Sequence, residues 1–287
     1  MIFEVIFEIP HNKWSVTTIF QKTVDDLKVL YPEHTFHYVD VRPHYPVYGG
    51  GFYSPHFLVV RNPLNLKYIL ASYWDDCNAM FHAKDGWDVD NRPVLIGSAG
   101  KCYDKDKNIP FTYPVYNTDH DSLIEQIITD TAITKDTNKL FFRGYLYDFR
   151  KFLECDDDII VTNKLLNSYE YLLEIRKSKI GLSLNGAGEI CNRDIEILGL
   201  GTALFRPKLQ SIFYNPLIPD YHYISFDVGN SFEETRKNLK EKYEMVKNSD
   251  DLINHIAENG RNWYLKNGTI EANKNLLIKL IDLKKII

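Results

Sequence analysis

The chain has 287 residues, 44% hydrophobic and 25% charged, which is enough apolar material for one large domain or two modest ones. Its net charge of −5 argues against a broad nucleic-acid-binding surface. No apolar run approaches the roughly 20 residues of a membrane span, and the acidic start MIFEVIFEIP lacks the basic region of a signal peptide. The four cysteines form no CxxC pair and are predicted to be free thiols. We therefore expect a cytoplasmic protein that binds neither nucleic acid nor membrane.

The first half of the chain is predicted to be irregular α/β structure. Apolar runs predict strands at residues 3–9, 34–41, 57–61, 68–73 and 93–97, and helical periodicity predicts helices at 18–30 and 119–130. A loop is predicted at 43–53, where three glycines follow one another. The polar stretch 131–138 is the predicted boundary to a second domain.

The second half repeats the alternation of strands and helices more regularly. Strands are predicted at 140–142, 159–162, 180–184 and 202–206, and helices at 168–176, 232–246, 250–259 and 271–286, with Gly260 ending the third of these helices. Alternation in both halves predicts two parallel-sheet units facing a cleft, with ligands outside the carboxyl ends of the strands. We expect domains at 1–132 and 133–270, and a helix at 271–287 that packs back on the first domain.

A glycine loop lies between the predicted strand 180–184 and a helix. It contains Asn185, Gly186 and Gly188, and the helix carries Arg193 and Glu196. Strand, glycine turn and helix is the arrangement with which α/β folds hold a phosphate at a helix N-terminus. Arg193 and Glu196, three residues apart, share a helix face, where the acid could accept hydrogen bonds from ribose hydroxyls. The commoner meaning of that spacing is a solvated Arg–Glu pair.

A second cationic element follows the predicted strand 140–142. Arg143 and Gly144 end this strand, and Arg150 comes shortly after. A guanidinium presents a rigid, permanently charged donor fork, which suits stabilisation of a leaving nucleoside diphosphate. The alternative is a structural ion pair of Arg143 with Asp148 or with the acidic run 156–158.

Residues 140–264 resemble the nucleotide-sugar half of glycosyltransferase family 90, the capsule-associated-protein-like and protein O-glucosyltransferase group. The resemblance rests on an ordered series: Arg143-Gly144 with Arg150, the glycine turn with Arg193, the Leu-Ile-Pro at 217–219 with His222-Tyr223, and the late helix at 256–261. Cys191-Asn192 replaces the serine-containing step that the family usually has before its arginine.

The resemblance implies two facing Rossmann-like domains (GT-B type), with acceptor binding at 1–132 and donor binding at 133–270. It implies an inverting, metal-independent enzyme that moves glucose or xylose from a UDP-sugar to an oligosaccharide or glycoprotein hydroxyl, without any further cofactor. Compact members include enzymes of chloroviruses, which would place this chain in a host cytoplasm. The implied donor-binding residues are Arg143, Gly144, Arg150, Asn185, Gly186, Gly188, Arg193, Glu196 and His222. For His222 a structural role is favoured over ligand contact.

Sugar transfer with inversion needs a general base, and the resemblance implies that this base lies in the acceptor half. Asp75 and Asp76 follow the predicted strand 68–73, and we predict that one of them is this catalytic base. The alternative for this pair is a helix N-cap. Other candidate bases surround the triple-glycine loop: Asp40, His44 and His56.

Two other functions compete with this prediction. Asp88-Val89-Asp90 has the spacing of a metal-dependent transferase motif, although it is short and common by chance. The other is a non-catalytic glycan- or nucleotide-binding module with the same fold.

Overall fold

The computed structural model describes part of the first half of the chain and most of the second. The described residues are 2–6, 25–26, 28–30, 32, 35–39, 57–61, 68–72, 94–97, 108–110, 120–144, 150, 153, 158–162, 166–185, 191–209 and 215–280.

The described strands of the first half form two small sheets. Strand β1 (Ile2–Ile6) pairs in parallel with β2 (Thr35–Val39). The second sheet has the order β3 (Phe57–Arg61), β4 (Tyr68–Ser72), β5 (Val94–Gly97) and β6 (Asn108–Pro110). Strand β3 runs antiparallel to β4, so the expectation of a parallel sheet in this half is wrong for that pair. The hairpin is possible because only a short segment joins the two strands, whereas a parallel pair needs a long crossover.

The second half forms a five-stranded sheet in which every pairing is parallel. Its strands are β7 (Thr137–Arg143), β8 (Ile159–Thr162), β9 (Ser178–Leu182), β10 (Ala203–Pro207) and β11 (Ile224–Phe226). Their spatial order is β8-β7-β9-β10-β11, which is a doubly wound α/β arrangement. The direction of winding reverses between β7 and β9.

Helices cover both faces of this sheet. They are α1 (His120–Thr129), α2 (Ser168–Lys177), α3 (Asn192–Gly199), α4 (Phe232–Val246), α5 (Asp250–Asn267) and α6 (Ile270–Leu280). Strand β7 shows how the layers form, because Leu140 and Phe142 pack on one face with α4 residues, while Phe141 packs on the other with α1 and α2 residues. None of the helices within the described ranges is long and apolar enough to cross a bilayer.

Both ends of α3 are tied to the rest of the fold. At its start the Asp194 carboxylate accepts a hydrogen bond from the backbone N–H of Cys191 at 2.6 Å. At its end three cationic side chains donate to backbone carbonyls: Lys135 to Gly201, Arg176 to Leu200 and Arg261 to Gly199. Cations at a helix C-terminus also complement its dipole. These contacts therefore hold α3, and the side chains in its first turn, in a fixed position on the sheet.

Helix α5 continues past Gly260, although the sequence predicted that this glycine would end it. A Cβ at this position would lie 2.7 Å from the Leu198 side chain and 2.8 Å from the His222 carbonyl oxygen. Glycine here permits close packing of α5 against α3, and the roughly 1 kcal/mol cost of a helical glycine does not stop the helix.

The last helix contacts the first part of the chain. The Lys274 ammonium of α6 lies 2.8 Å from the Asp26 carboxylate, and it also pairs with Glu271 at 2.5 Å. The predicted domain limits at 132 and 270 stay predictions.

Candidate functional site

The carboxyl ends of β7 and β9 meet at the point where the sheet reverses its winding. Arg143 and Gly144 lie at the end of β7, and Ser183, Leu184 and Asn185 follow β9. In open α/β sheets, ligands bind outside this edge at such a switch point. The sequence-predicted loop residues are therefore brought to the edge that the fold favours for binding.

Arg143 forms an ion pair that the sequence did not predict. Its Nε donates to the Glu174 carboxylate of α2 at 3.0 Å, and its Nη2 contacts the same oxygen. The Arg143 side chain is 10% exposed and that of Glu174 is 40% exposed. Of the expected alternative partners, Asp148, Asp156 and Asp157 lie outside the described residues, so those pairings stay predictions. Glu174 holds the guanidinium at the sheet edge, and its own exposure leaves the pair reachable from solvent.

Arg193, in the first turn of α3, has buried donors with no hydrogen-bond acceptor. Its Nε and Nη1 atoms are inaccessible to water, and no acceptor for them was found in the part of the chain that the structure describes. The guanidinium lies over the Phe142 ring with its carbon 4.5 Å from the ring centroid. Buried donors are normally satisfied, and these two N–H groups can donate to the oxygens of an anion that reaches them.

Gly144 gives Arg193 the space it occupies. Its φ of +156° is in the region that disfavours side-chain-bearing residues, and a Cβ built there would lie 2.5 Å from the Arg193 Nη2. The pairing of Arg143 with Gly144 in the sequence therefore has a physical basis. The arginine ends the strand, and the glycine lets a second guanidinium approach the backbone.

Arg150 is buried, with 5% of its surface exposed. Its Nη2 donates to the backbone carbonyls of Leu184 at 3.1 Å and Asn185 at 2.5 Å, and its guanidinium lies 5.8 Å from the centroid of the Phe142 ring. These contacts hold the segment that leaves β9. The predicted contact of Arg150 with the donor stays a prediction.

The sequence did not predict two buried residues at the site, Arg206 and Asp194. Arg206 of β10 donates from Nη1 to Asp194 Oδ1 at 2.8 Å and from Nη2 to Asn185 Oδ1 at 3.1 Å. Both side chains of the Arg206–Asp194 pair are 1% exposed. The signal that could have found Arg206 is a charged residue inside the otherwise apolar strand β10, since a charged residue is rarely buried unless it is paired. Asp194 gives no comparable signal, because α3 also carries Arg193 and Glu196.

Glu196 is buried between α3 and α2 and is 4% exposed. Its Oε2 accepts a hydrogen bond from the Tyr171 hydroxyl at 2.5 Å. Burial raises the pKa of Glu196 from 4.5 to about 7, against the opposing effects of this hydrogen bond and of Arg193. The shared face of Arg193 and Glu196 is therefore turned toward α2, and the predicted ribose contact of Glu196 stays a prediction.

Cys191 is a half-buried free thiol just before α3, and its Sγ lies 3.4 Å from the Leu184 carbonyl oxygen. Burial, together with the nearby Asp194 carboxylate, raises the pKa of this thiol to about 11. The side chain is therefore a protonated, packed residue at physiological pH.

The structure does not bring His222 together with these residues. His222 precedes β11, so it lies at the amino ends of the parallel strands, whereas Arg143 and Asn185 lie at the carboxyl ends. Its Nδ1 accepts a hydrogen bond from the backbone N–H of Ile218 at 2.9 Å, and burial lowers the pKa of the ring. These contacts agree with the structural role that the sequence favoured.

Several predicted residues lie outside the described part of the chain. They are the loop glycines Gly186 and Gly188, the predicted bases Asp75 and Asp76, their alternatives Asp40, His44 and His56, and the acidic pair Asp88 and Asp90. Among the residues that the structure describes, no group of three or more metal-binding side chains occurs.

No family model matches the chain, and no curated protein matches it. Two solved structures to which it is similar are glycosyltransferases. A glycosyltransferase from Rickettsia africae ESF-5 aligns over 97% of both chains with 9% identity and a TM-score of 0.48. The C-terminal domain of a glycosyl transferase group 1 family protein (LpcC) from Francisella tularensis covers 55% of this chain and 87% of its own, with 17% identity and a TM-score of 0.33. Both scores lie below 0.5, so neither alignment assigns a family or an activity to this chain.

Proposed function

We propose that the sheet edge between β7 and β9 binds the diphosphate of a nucleotide sugar and that the protein transfers the sugar. The observation that carries this proposal is Arg193, whose Nε and Nη1 are buried without an acceptor in the described structure. A buried donor left unsatisfied costs about 1–3 kcal/mol, more for a charged group, and a phosphate oxygen would remove that cost.

The charge at this edge fits a diphosphate. Arg143 precedes Gly144 in the chain, Arg193 Nη2 lies against Gly144, and the acid paired with Arg143 is the partly exposed Glu174. The first turn of α3 adds the positive end of a helix dipole, which favours anions. Arginine forks bind the paired oxygens of phosphates well. We expect an anion with two phosphates to contact both guanidinium groups.

The proposed reaction is inverting and metal-independent. Charge grows on the leaving diphosphate in the transition state, and the guanidinium groups of Arg143 and Arg193 stabilise it there without a metal ion. Asp75 or Asp76 removes the proton from the acceptor hydroxyl as general base. Two facing GT-B domains would bring this base to the donor.

The identity of the substrates rests on the resemblance to glycosyltransferase family 90. It supports a UDP-linked donor, glucose or xylose as the transferred sugar, and a hydroxyl of a glycan or glycoprotein as the acceptor. A chlorovirus-type xylosyltransferase acting in a host cytoplasm is the most specific form of this proposal.

Calorimetric titration with UDP, GDP and CMP tests donor binding. We expect UDP to bind wild type and to bind Arg193→Met at least tenfold more weakly, because methionine keeps the apolar stem but removes the donors. Lys237→Met is the control, since Lys237 is 71% exposed on α4 and is paired only loosely with Glu241 at 3.8 Å. Preference for GDP would contradict the uridine assignment, and absence of binding to all three nucleotides would contradict the function.

Hydrolysis of UDP-glucose and UDP-xylose without acceptor then separates an enzyme from a non-catalytic binding module. Slow release of UDP that is unchanged by EDTA is expected. Loss of that release in EDTA would support the metal-dependent alternative with Asp88 and Asp90.

A further inference from the structure

The guanidinium of Arg206 joins two segments that are separate in the chain. Asn185 ends the segment that leaves β9, and Asp194 lies in the first turn of α3. One nitrogen of Arg206 donates to each of their side chains, at 3.1 Å and 2.8 Å, and Nε donates to the Pro207 carbonyl at 3.0 Å. Each of the three nitrogens of this rigid, planar group thus donates a hydrogen bond to a neighbouring segment.

The bridge continues into the backbone on both sides. Asp194 uses its second oxygen to accept the Cys191 N–H, and the Asn185 carbonyl accepts from Arg150. The end of β9 and the start of α3 are therefore held to one buried side chain of β10. The segment 186–190, which contains the two loop glycines, begins and ends at these two anchored points.

Arg193 is the residue next to Asp194 in the first turn of α3. The carbon of its guanidinium lies 4.5 Å from the centroid of the Phe142 ring. A shift of the first turn by a fraction of this distance would move the guanidinium off the ring and away from Gly144. A buried ion pair is often replaceable by apolar residues without loss of stability, so its presence is weak evidence for a stabilising role. Its value here lies in geometry, because it sets the distance between β9 and α3 at the ligand edge.

We propose that Arg206 is a positioning residue that, through Asp194 and Asn185, holds Arg193 in its anion-binding orientation; this inference rests on the proposed function. Arg206 itself touches no ligand, since its side chain is 1% exposed. It acts on affinity through the placement of Arg193.

The test uses the full chain with the double substitution Arg206→Met and Asp194→Asn. This variant buries no unpaired charge, and asparagine can still accept the Cys191 N–H, so the fold should be kept. The matched control is Lys179→Met with Asp250→Asn, which removes the 2.9 Å ion pair between the start of β9 and the start of α5, at the opposite edge of the sheet. Should the double variant not fold, Asn185→Ala cuts one arm of the bridge and leaves the Arg206–Asp194 pair intact.

Two measurements are made on each variant. The first is the solvent exchange rate of the Arg193 Nε–H by NMR, which reports the burial of this guanidinium without any ligand. The second is the affinity for UDP and for inorganic pyrophosphate by calorimetry. We expect at least tenfold faster exchange and at least tenfold weaker binding in the double variant, a smaller change of the same sign in Asn185→Ala, and wild-type values in the control.

A folded double variant, or a folded Asn185→Ala, with wild-type exchange and wild-type affinity overturns the proposal. If wild type binds neither UDP nor pyrophosphate, the proposed function fails, and the exchange rate of Arg193 alone still decides whether Arg206 positions it.

Discussion

Protonation of Glu196 should make the stability of this protein depend on pH near neutrality. The carboxyl group is 4% exposed, and burial raises its pKa from 4.5 to about 7. The folded state therefore binds this proton more tightly than the unfolded chain does. Between about pH 4.5 and pH 7 the folded state carries the extra proton, so the free energy of unfolding must fall as the pH rises through this window.

The size of the effect follows from the two pKa values. A difference of one pKa unit is worth about 1.4 kcal/mol, so the rise from 4.5 to about 7 corresponds to about 3 kcal/mol. This contribution is fully present below pH 4.5 and lost above pH 7. For a protein of ordinary stability, about 5–15 kcal/mol, it is a large fraction of the total.

Urea unfolding of wild type and Glu196→Gln between pH 4.5 and pH 8 measures this contribution of Glu196 to the free energy of unfolding. Glutamine can still accept from the Tyr171 hydroxyl but does not titrate, so the variant should gain about 3 kcal/mol relative to wild type as the pH rises. Tyr171→Phe removes a hydrogen bond that lowers the pKa of Glu196, so this pKa should rise further. The fall in the free energy of unfolding with rising pH should then extend to higher pH in this variant. Parallel stability curves for wild type and Glu196→Gln would refute the assignment of the raised pKa to this carboxyl group.

Two substitutions test the remaining parts of the site. Gly144→Ala places a methyl group 2.5 Å from the Arg193 Nη2 at a φ of +156°, so it should cost about 1–3 kcal/mol in urea unfolding and weaken UDP binding in calorimetry. Gly260→Ala, which is equally crowded against Leu198 but distant from this edge, should lower stability alone, and equal UDP affinity in both variants would contradict the role of Gly144. One of Asp75→Asn and Asp76→Asn should slow transfer about 10²–10⁴-fold with UDP affinity unchanged. Normal transfer by both would move the search to Asp40 and His44.

Sequence patterns predicted most strands and helices of the second half, because apolar runs and helical periodicity involve only residues close together in the chain. The apolar run at 159–162 and the helical periodicity at 232–246 reappear with the same limits in β8 and α4. Strand β11 was missed because it has only three residues, and its pairing with β10 defines it more than its composition does. The glycine at 260 was misread because the close approach of Leu198 and the His222 carbonyl comes from residues far away in the sequence.

The site was predictable only in part for the same reason. Arg143, Asn185 and Arg193 could be placed at one sheet edge, because the carboxyl ends of parallel strands meet there. The partner of each charge could not be predicted. Glu174 lies 31 residues from Arg143, and Asp194 lies 12 residues from Arg206, so only the packing of α2 and α3 on the sheet brings these pairs together.

The arginines of this site differ in the acceptors of their guanidinium groups. Arg150 and Arg206 donate to backbone carbonyls and to buried side chains, so binding of an anion elsewhere leaves their hydrogen bonds unchanged. Arg143 donates to Glu174, and a phosphate there would replace one charge-assisted hydrogen bond with another. Its net contribution to ground-state affinity should therefore be small.

Arg193 differs from Arg143 and Arg206, because its Nε and Nη1 have no acceptor among the described residues. An anion that reaches them forms hydrogen bonds without breaking any on the protein side, and it also relieves the cost of two desolvated donors. Affinity for a diphosphate should then come mainly from Arg193. Arg143 gains its advantage later, when charge grows on the leaving phosphate and outweighs the Glu174 carboxylate as a partner.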